Sequence, residues 1–284
     1  MNDTSRDAHQ DITIQSDIAY LGPDRAEKLD AYLPSSAYRG PHPAILLIHG
    51  GGWRLGDKAD NRERDIGTTL ARHGYAVFSI NYLLNETTKE EGEPVRLHSL
   101  AWPQSFTDCK SALRFLRAEA QTYHLDPDRI ATMGGSAGGH LALLLAATAE
   151  HPLFNREGLH TEQSNAVTCA LNFYGDYDIR GRTVSPFAGA SDEVKAQHEA
   201  DASPVTWIDT NMPPVFITHG ARDTIIPVER SRRLVEHLDK HGLDYWYVEI
   251  AGAGHGYDLH LEQMNLEPSV LTFLHKHLGK PIAG

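Results

Sequence analysis

The chain of 284 residues is poor in cysteine and lacks a long apolar run. Its only cysteines, Cys109 and Cys169, cannot build a disulfide framework, and neither has the spacing of a metal-binding motif. We interpret each as a small buried apolar side chain. The apolar run that begins at Leu141 ends at Glu150, well short of the ~20 residues that span a bilayer. The sequence therefore excludes a disulfide-built scaffold and gives no sign of a membrane-spanning helix.

A surplus of basic residues is also missing. Lys and Arg number 26 against 38 Asp and Glu, so the formal net charge is −12 at pH 7 with histidine neutral. Such a surface repels nucleic acid and anionic membranes, which leaves a small molecule as the expected partner. The first twenty residues are polar and contain no apolar signal core, which predicts a cytoplasmic protein. A secreted chain whose signal has been removed would show the same pattern, and nothing in the sequence indicates an oligomeric state.

Short apolar segments alternate with longer amphipathic ones along the chain, without repeats or a linker. This alternation is typical of an α/β protein whose mostly parallel sheet carries helices on both faces. We predict one domain over residues 1–284 with eight strands, at 17–21, 28–33, 43–48, 75–82, 130–133, 167–173, 215–219 and 245–250. Helices are predicted before residue 74 and at 104–124, 138–150, 228–240 and 268–277. The segment 175–209 fits the pattern least, and we expect it to form a small lid-like excursion of loop and helix.

A glycine-rich turn, Met-Gly-Gly-Ser-Ala-Gly-Gly-His, stands between a predicted strand and a predicted helix at residues 133–140. It contains the pattern Gly-x-Ser-x-Gly with Ser136 at its centre. A serine on such a turn is held in a strained backbone conformation, with its hydroxyl exposed above the sheet. The positive end of the following helix dipole also favours negative charge beside Ser136. A turn that merely packs a helix against a strand is the alternative, and the motif's context favours Ser136 as a nucleophile.

A second glycine-rich loop, His-Gly-Gly-Gly-Trp at residues 49–53, follows the third predicted strand. Its glycines expose backbone N–H groups, which stabilise a developing alkoxide. We expect the N–H groups of Gly51, Gly52 and Ala137 to form an oxyanion hole, and His49 to anchor the loop rather than act as a base. Glycine-rich loops also bind phosphate, but this chain has neither Gly-Lys-Ser/Thr nor Gly-x-Gly-x-x-Gly with a following acidic residue.

A serine hydroxyl becomes an effective nucleophile when a neighbouring imidazole takes its proton. The chain has seventeen histidines, so the base has to be identified by its position relative to the predicted strands. The nucleophile motif predicts the chain order serine, acid, histidine, and Asp223 and His255 each follow one of the last two predicted strands. Asp223 also suits a helix N-cap, His255 a solvated loop, and Asp176 and Asp178 are competing acids. We predict a catalytic triad of Ser136, His255 and Asp223.

These motifs together resemble the α/β-hydrolase superfamily, and within it the hormone-sensitive-lipase-like and carbohydrate-esterase branches. Four further segments resemble the bifunctional feruloyl and acetyl-xylan esterases: Trp53-Arg-Leu-Gly-Asp-Lys58, Asp108-Cys-Lys110 with Leu116-Arg117, Asp126-Pro-Asp-Arg-Ile130 and Ala202-Ser-Pro-Val205. The resemblance runs from about residue 31 to residue 277. It implies the α/β-hydrolase fold, the triad and the oxyanion hole named above. The sequence departs from the lipase-like branch at Asn81-Tyr-Leu-Leu84, where that branch usually has Asp-Tyr-Arg-Leu, and no long cap domain is evident.

We therefore predict a serine carboxylesterase that hydrolyses short-chain or aromatic esters, of the acetyl or feruloyl type, through an acyl-enzyme and without a metal or cofactor. Aryl formamidases, small peptidases and lactonases use the same residues, so these alternatives stay open. A non-catalytic binding protein is disfavoured because every catalytic part is present. Trp53, Tyr82 and Trp207 are candidate substrate contacts, with Trp102, Tyr174 and Phe187 in a wider set of loop aromatics. We expect His219, on the strand before the acid, to be buried.

Overall fold

The computed structural model describes residues 11–88, 96–149, 151–181, 187 and 191–284. The strands in these ranges are β1 (Thr13–Ile18), β2 (Leu29–Leu33), β3 (Tyr38–Arg39), β4 (His42–Ile48), β5 (Ala76–Ile80), β6 (Glu86–Thr88), β7 (Arg96–Ser99), β8 (Leu125–Gly135), β9 (Cys169–Phe173), β10 (Val215–Gly220), β11 (Tyr245–Ile250) and β12 (Ile282–Ala283). Eight of them form the main sheet in the order β1-β2-β5-β4-β8-β9-β10-β11. The others pair in two small sheets, β12 with β3 and β6 with β7.

The main sheet is mostly parallel. β1 pairs antiparallel with β2, and β2 pairs antiparallel with β5. From β5 onward, all neighbours are parallel. The predicted mostly parallel sheet of eight strands is therefore confirmed. Because the carboxyl ends of parallel strands meet at one edge, the loops that follow β4, β8, β9, β10 and β11 are brought together there.

Helices cover both faces of this sheet, as predicted. They are α1 (Asn61–Arg72), α2 (Gln104–Ala118), α3 (Ala137–Ala147), α4 (Pro152–Asn155), α5 (Asp192–Asp201), α6 (Glu229–Lys240) and α7 (Glu267–His277). Side chains of α2, α3 and α6 belong to one apolar cluster, and side chains of α1 and α7 belong to the other. α3 is buried around most of its circumference, as its almost wholly apolar sequence indicates. None of the helices in the described ranges has the length and apolarity needed to cross a membrane.

Several predicted boundaries differ from the structure. β1 begins and ends earlier than the predicted strand 17–21, because it is an exposed edge strand without the apolar pattern of a buried one. β8 begins at Leu125, not at residue 130. Pro127 is tolerated within β8 because it lies where the pairing of β8 with β4 is interrupted, so no ladder hydrogen bond is needed from it. The helix predicted over 138–150 ends at Ala147, followed by a turn at Thr148, and residue 150 itself lies outside the described residues.

The segment 175–209 contains α5 and a 3₁₀ turn, Pro204–Thr206, in the part that the structure describes. Residues 182–186 and 188–190 lie outside the described ranges. The segment is tied to α3, because His140 Nε2–H donates to the carbonyl of Ala202 at 2.6 Å. Its described part is loop and helix, as expected, and a lid-like role stays a prediction.

Candidate active site

Ser136, His255 and Asp223 meet at the carboxyl edge of the sheet. Ser136 Oγ lies 2.9 Å from His255 Nε2, and His255 Nδ1 lies 2.6 Å from Asp223 Oδ2. Because a carboxylate accepts, Nδ1–H donates to Asp223, and Nε2 is left to accept the serine proton. The Asp223 side chain is fully buried, whereas 18% of the His255 side chain stays exposed. The arrangement joins a hydroxyl, an imidazole and a buried carboxylate in one hydrogen-bonded chain, which is the geometry that the predicted triad requires.

Ser136 occupies the sharp turn between β8 and α3. Its φ of 54° and ψ of −120° are strained for a residue with a side chain. Its N–H donates to the carbonyl of Phe173 at 2.9 Å, which holds the strained turn against β9. Glycine is required at position 138 because a Cβ there would clash with the carbonyl oxygen of Ile48. The packing of α3 against β4 therefore keeps the hydroxyl raised above the sheet.

The glycine loop after β4 lies against the nucleophile. A Cβ on Gly50 would lie 3.4 Å from Ser136 Cβ, which shows how closely the two backbones approach. Gly51 and Gly52 line the same cavity as Ser136. No hydrogen bond between described residues uses the N–H groups of Gly51, Gly52 or Ala137. The predicted oxyanion hole requires three such unused donors, and its role stays a prediction.

His49 anchors this loop from behind, in agreement with the role expected for it. Its Nδ1 lies 2.7 Å from the carbonyl oxygen of Gly50, to which Nδ1–H donates. Its ring stacks on Tyr82 at 4.5 Å, and the Tyr82 hydroxyl donates to the His49 carbonyl at 3.1 Å. Burial lowers the pKa of His49, so that the ring is neutral at pH 7. Both side chains stabilise the loop without contacting Ser136.

Gly51→Ala is expected to lower kcat by about 10²–10³-fold, the usual cost of losing an oxyanion donor. Gly51 has a φ of +100°, and a Cβ there would clash with the carbonyl oxygen of Leu55, so the loop has to move. Steady-state kinetics on a nitrophenyl ester measure the effect. Gly22→Ala is the matched control, because Gly22 has a φ of +90° but open space around it. Equal kcat values for the two variants would show that the loop does not act on the oxyanion.

Both oxygens of the Asp223 carboxylate are occupied. Oδ1 accepts the backbone N–H groups of Ile225 at 2.8 Å and Ile226 at 2.9 Å. Oδ2 accepts from His255 and also lies 3.1 Å from His219 Nε2. Asp223 therefore holds its own turn in the manner of a capping residue, and it orients the base as well. His219 is fully buried, as expected.

The competing acids lie elsewhere. Asp176 Oδ2 is 3.8 Å from Arg230 Nε, and Asp178 accepts from Arg180 Nε at 2.8 Å. Neither lines the cavity above Ser136. Asp223 is therefore the carboxylate that the structure brings to the base.

The loop that carries His255 is tied to two other elements. Tyr174 directly follows β9. Its hydroxyl donates to the carbonyl of Tyr257 at 2.7 Å and accepts from the Tyr257 N–H at 3.1 Å. Arg62 Nε, at the start of α1, donates to the same carbonyl at 2.9 Å. The Tyr174 ring also lies edge-on to the His255 imidazole, at 4.9 Å between centroids. The sequence did not predict a role for Arg62, because its spacing belongs to no motif. Tyr174, which directly follows a strand, was predicted only as one of the wider set of loop aromatics.

Tyr174→Phe is expected to lower the free energy of unfolding by about 1–3 kcal/mol, because the partly buried N–H of Tyr257 loses its acceptor and the Tyr257 carbonyl keeps only Arg62 as donor. It also loosens the loop that holds His255, so kcat should fall while the enzyme still folds. Chemical denaturation and steady-state kinetics measure the two effects. Tyr245→Phe is the control, since that hydroxyl binds Asp239 at the surface and its loss should cost under about 0.5 kcal/mol. Equal stabilities for the two variants would contradict the anchoring role.

A cavity of about 560 Å³ lies above the serine and the imidazole. Much of its wall is glycine backbone. Leu55 and Ile225 line it and are 58% and 62% exposed, so each presents an apolar side chain to an entering ligand. The charged residues in its lining are Arg54, Asp60, Arg62 and Glu63. Leu55 and Ile225 suit the cavity to a ligand with an apolar body.

The three aromatic residues proposed as substrate contacts do not line this cavity, which corrects that expectation. Trp53 is buried and its Nε1–H donates to His140 Nδ1 at 3.2 Å. Tyr82 lies behind the oxyanion loop. Trp207 lines a separate cavity of about 240 Å³. Of the wider set of aromatics, Tyr174 is the member that lines the cavity at Ser136.

One group of possible metal ligands occurs in the described residues. Asp65, Asp258 and His260 bring ligand atoms within 4.8 Å of one another. His260 Nε2 is already 2.8 Å from Glu267, and none of the three lines the cavity above Ser136.

Curated relatives match most of this chain. Esterase LipC of Mycobacterium tuberculosis is 31% identical over 250 residues, which make up 84% of this chain and 59% of LipC. The probable carboxylic ester hydrolase LipM of the same organism is 32% identical over 264 residues, or 88% of this chain and 58% of LipM. The chain thus spans somewhat less than two thirds of the length of these relatives.

A solved structure and a family model agree with these matches. A truncated form of a carbohydrate esterase from gut microbiota superposes with a TM-score of 0.77 at 23% identity, covering 94% of this chain and 97% of that one. At this identity the likeness shows the fold, which is that of the α/β-hydrolases. The family model named BD-FAE matches residues 29–238. The resemblance seen in the sequence is therefore confirmed, and the chain belongs to the BD-FAE family with an α/β-hydrolase fold.

Proposed function

We propose that this protein is a serine carboxylesterase that hydrolyses short-chain or aromatic esters, of the acetyl or feruloyl type. The observation that carries the proposal is the continuous hydrogen-bonded chain from Ser136 Oγ through His255 to Asp223. A buried carboxylate, an oriented imidazole and a hydroxyl on a strained turn are the parts that acyl transfer needs. The similarity to proteins named as esterases supports the same class of reaction.

The reaction proceeds in two halves. Ser136 Oγ attacks the ester carbonyl as its proton passes to His255 Nε2, and the oxyanion binds the N–H groups of Gly51, Gly52 and Ala137. His255 then protonates the leaving alcohol, and the acyl group stays on Ser136. A water molecule gives its proton to His255 and attacks the acyl carbonyl. His255 then returns the proton to Ser136 Oγ as the carboxylic acid product leaves, which restores the serine. No step needs a metal or a cofactor.

The cavity supports small or flat acyl and alcohol groups. Leu55 follows the oxyanion loop and Ile225 follows the acid, so both apolar side chains border the reacting bond. Burying each against a substrate contributes on the order of 1 kcal/mol or more, in proportion to the apolar area covered. The glycine wall leaves room for an aromatic ring to lie close to the backbone.

A panel of matched substrates tests the proposal. We expect turnover of nitrophenyl acetate and butyrate and of methyl ferulate, with lower kcat/KM for an aryl formamide, an aminoacyl anilide and a lactone. A preference for the formamide, the anilide or the lactone would replace the ester assignment by one of the related activities that use the same triad. Absence of turnover on every substrate, together with no labelling by a fluorophosphonate, would remove the catalytic proposal.

We also propose a domain organisation for the chain. Both apolar clusters pack on one sheet, which supports a single domain for the whole chain. A lid-like role for the segment 175–209 and a cytoplasmic location stay predictions. A comparison of kcat/KM across acyl lengths, before and after shortening of that segment, measures whether it limits access to the cavity.

A further inference from the structure

His219 is a buried histidine that the proposed reaction does not use. It lies on β10, four residues before Asp223, and is fully buried. Its Nε2 is 2.8 Å from the carbonyl oxygen of Ile226, and its Nδ1 is 2.7 Å from Ser231 Oγ. A carbonyl oxygen only accepts, so Nε2 carries the hydrogen and Nδ1 accepts from the serine hydroxyl. The tautomer of His219 is thus determined by its surroundings.

The same ring nitrogen also lies against the acid of the triad. Asp223 Oδ2 lies 3.1 Å from this nitrogen, on the same oxygen that binds His255. Ile226, whose carbonyl accepts from His219, donates its own N–H to Asp223 Oδ1 at 2.9 Å. One imidazole therefore supports the carboxylate in two ways, directly at Oδ2 and through the turn at Oδ1.

We propose that His219 is a positioning residue of the proposed esterase, which holds the Asp223 carboxylate in place and divides its Oδ2 charge between two imidazoles. The inference rests on the proposed function, since it concerns the acid of the same triad. A carboxylate held at both oxygens keeps its orientation toward His255 through the catalytic cycle. The N–H of His219 also limits how strongly Oδ2 stabilises the protonated base, so that the base remains able to pass its proton to the leaving group.

The neutral state of His219 fits this role. Burial lowers the pKa of His219, which keeps the ring uncharged at pH 7 despite the neighbouring carboxylate. A neutral N–H donor steadies the carboxylate without neutralising it. The charge on Asp223 thus remains available to the protonated base.

Other titratable groups surround the pair on every side. Glu249 of β11 is the register partner of His219, and its carboxylate is paired with Arg232 of α6. Tyr257 on the histidine loop has its hydroxyl 3.1 Å from Thr218 Oγ1 on β10. Tyr174 lies beside the His255 ring. Among the described residues, the side chains that contact the Asp223 carboxylate are the two imidazoles.

Two substitutions at position 219 and one on the neighbouring strand test the proposal. His219→Leu removes the N–H, and we expect kcat on nitrophenyl butyrate to fall about 10–100-fold with little change in KM, the cost of a misplaced catalytic group. The acid limb of the pH profile of kcat/KM should move to higher pH, because the whole Oδ2 charge then acts on His255. His219→Gln places an amide N–H near the same point and should restore most of both values. Glu249→Gln, the control, should change neither.

The outcomes separate the two levels of the proposal. A His219→Leu enzyme that is less stable to heat, yet keeps the wild-type kcat and acid limb, would show that the ring only packs the core. If leucine prevents folding, His219→Asn replaces it, because its shorter amide does not reach Asp223, and equal kinetics for the Asn and Gln variants would overturn the inference. Wild-type protein that hydrolyses no ester and takes no fluorophosphonate label would instead overturn the proposed function.

Discussion

Ser136→Ala is expected to lower kcat for a short-chain nitrophenyl ester by about 10⁶-fold, the cost of removing the nucleophile from a triad. The loss falls on kcat because His255, the oxyanion donors and the cavity wall all remain in place. We expect a residual rate above that of uncatalysed hydrolysis in water, because the N–H donors still stabilise attack by a water molecule. The fold should be unchanged, since alanine keeps the backbone hydrogen bond to Phe173.

A covalent probe makes this prediction independent of substrate choice. A fluorophosphonate should label the wild-type protein once per chain and should leave Ser136→Ala unlabelled, as intact-mass measurement shows. Ser111→Ala is the control, because that serine is buried and its hydroxyl donates to the carbonyl of Thr107, away from the cavity. It should keep both labelling and rate. Labelling that persists at full stoichiometry in Ser136→Ala would place the nucleophile elsewhere in the chain.

The candidate catalytic residues could be predicted because Ser136 and Asp223 follow buried strands and His255 follows the half-buried edge strand β11. Strands that are buried on both faces have continuous apolar sequences, so β4, β8 and β10 are visible without a structure. In a parallel sheet their carboxyl ends meet at one edge, and the loops after them must therefore converge. The prediction of Ser136, His255 and Asp223 as neighbours depended on this topology and not on their separation along the chain.

The residues that line the cavity could not be predicted, because the lining depends on which way a loop side chain points. Trp53 follows the glycine loop directly, yet its φ of 58° accompanies a ring that is buried beside α3. Leu55, two residues later, is the side chain that borders the cavity. A backbone dihedral of this kind leaves no mark in composition or spacing.

The supporting contacts escaped sequence analysis for a related reason. Arg62 stands near the start of an ordinary amphipathic helix, and it acts through a carbonyl 195 residues away in the chain. His219 was expected to be buried, but burial alone does not reveal that its Nε2 lies 3.1 Å from Asp223 Oδ2. Pairings of this kind need coordinates, because they join elements that pack together only in the folded protein.

Asp223→Asn is expected to lower kcat about 10⁴-fold while the fold is retained. The amide oxygen can still accept the N–H groups of Ile225 and Ile226, so the turn persists. The amide NH₂ then faces His255 Nδ1, which must accept, and the ring hydrogen moves to Nε2. That hydrogen points at Ser136 Oγ, and the imidazole can no longer take the serine proton. Steady-state kinetics, with thermal unfolding as a check on folding, measure the effect.

The pH dependence separates this cause from a loss of charge alone. If the wrong tautomer limits the reaction, deprotonating the imidazole at higher pH does not restore the rate of Asp223→Asn. The neutral ring of the variant carries its hydrogen on Nε2, and this form is inactive. Asp178→Asn is the control, since that carboxylate binds Arg180 and should be dispensable for the rate. A large loss in Asp178→Asn and a small one in Asp223→Asn would mean that a different acid orients the base, and the hydrogen bond of 2.6 Å between His255 and Asp223 would then have no catalytic role.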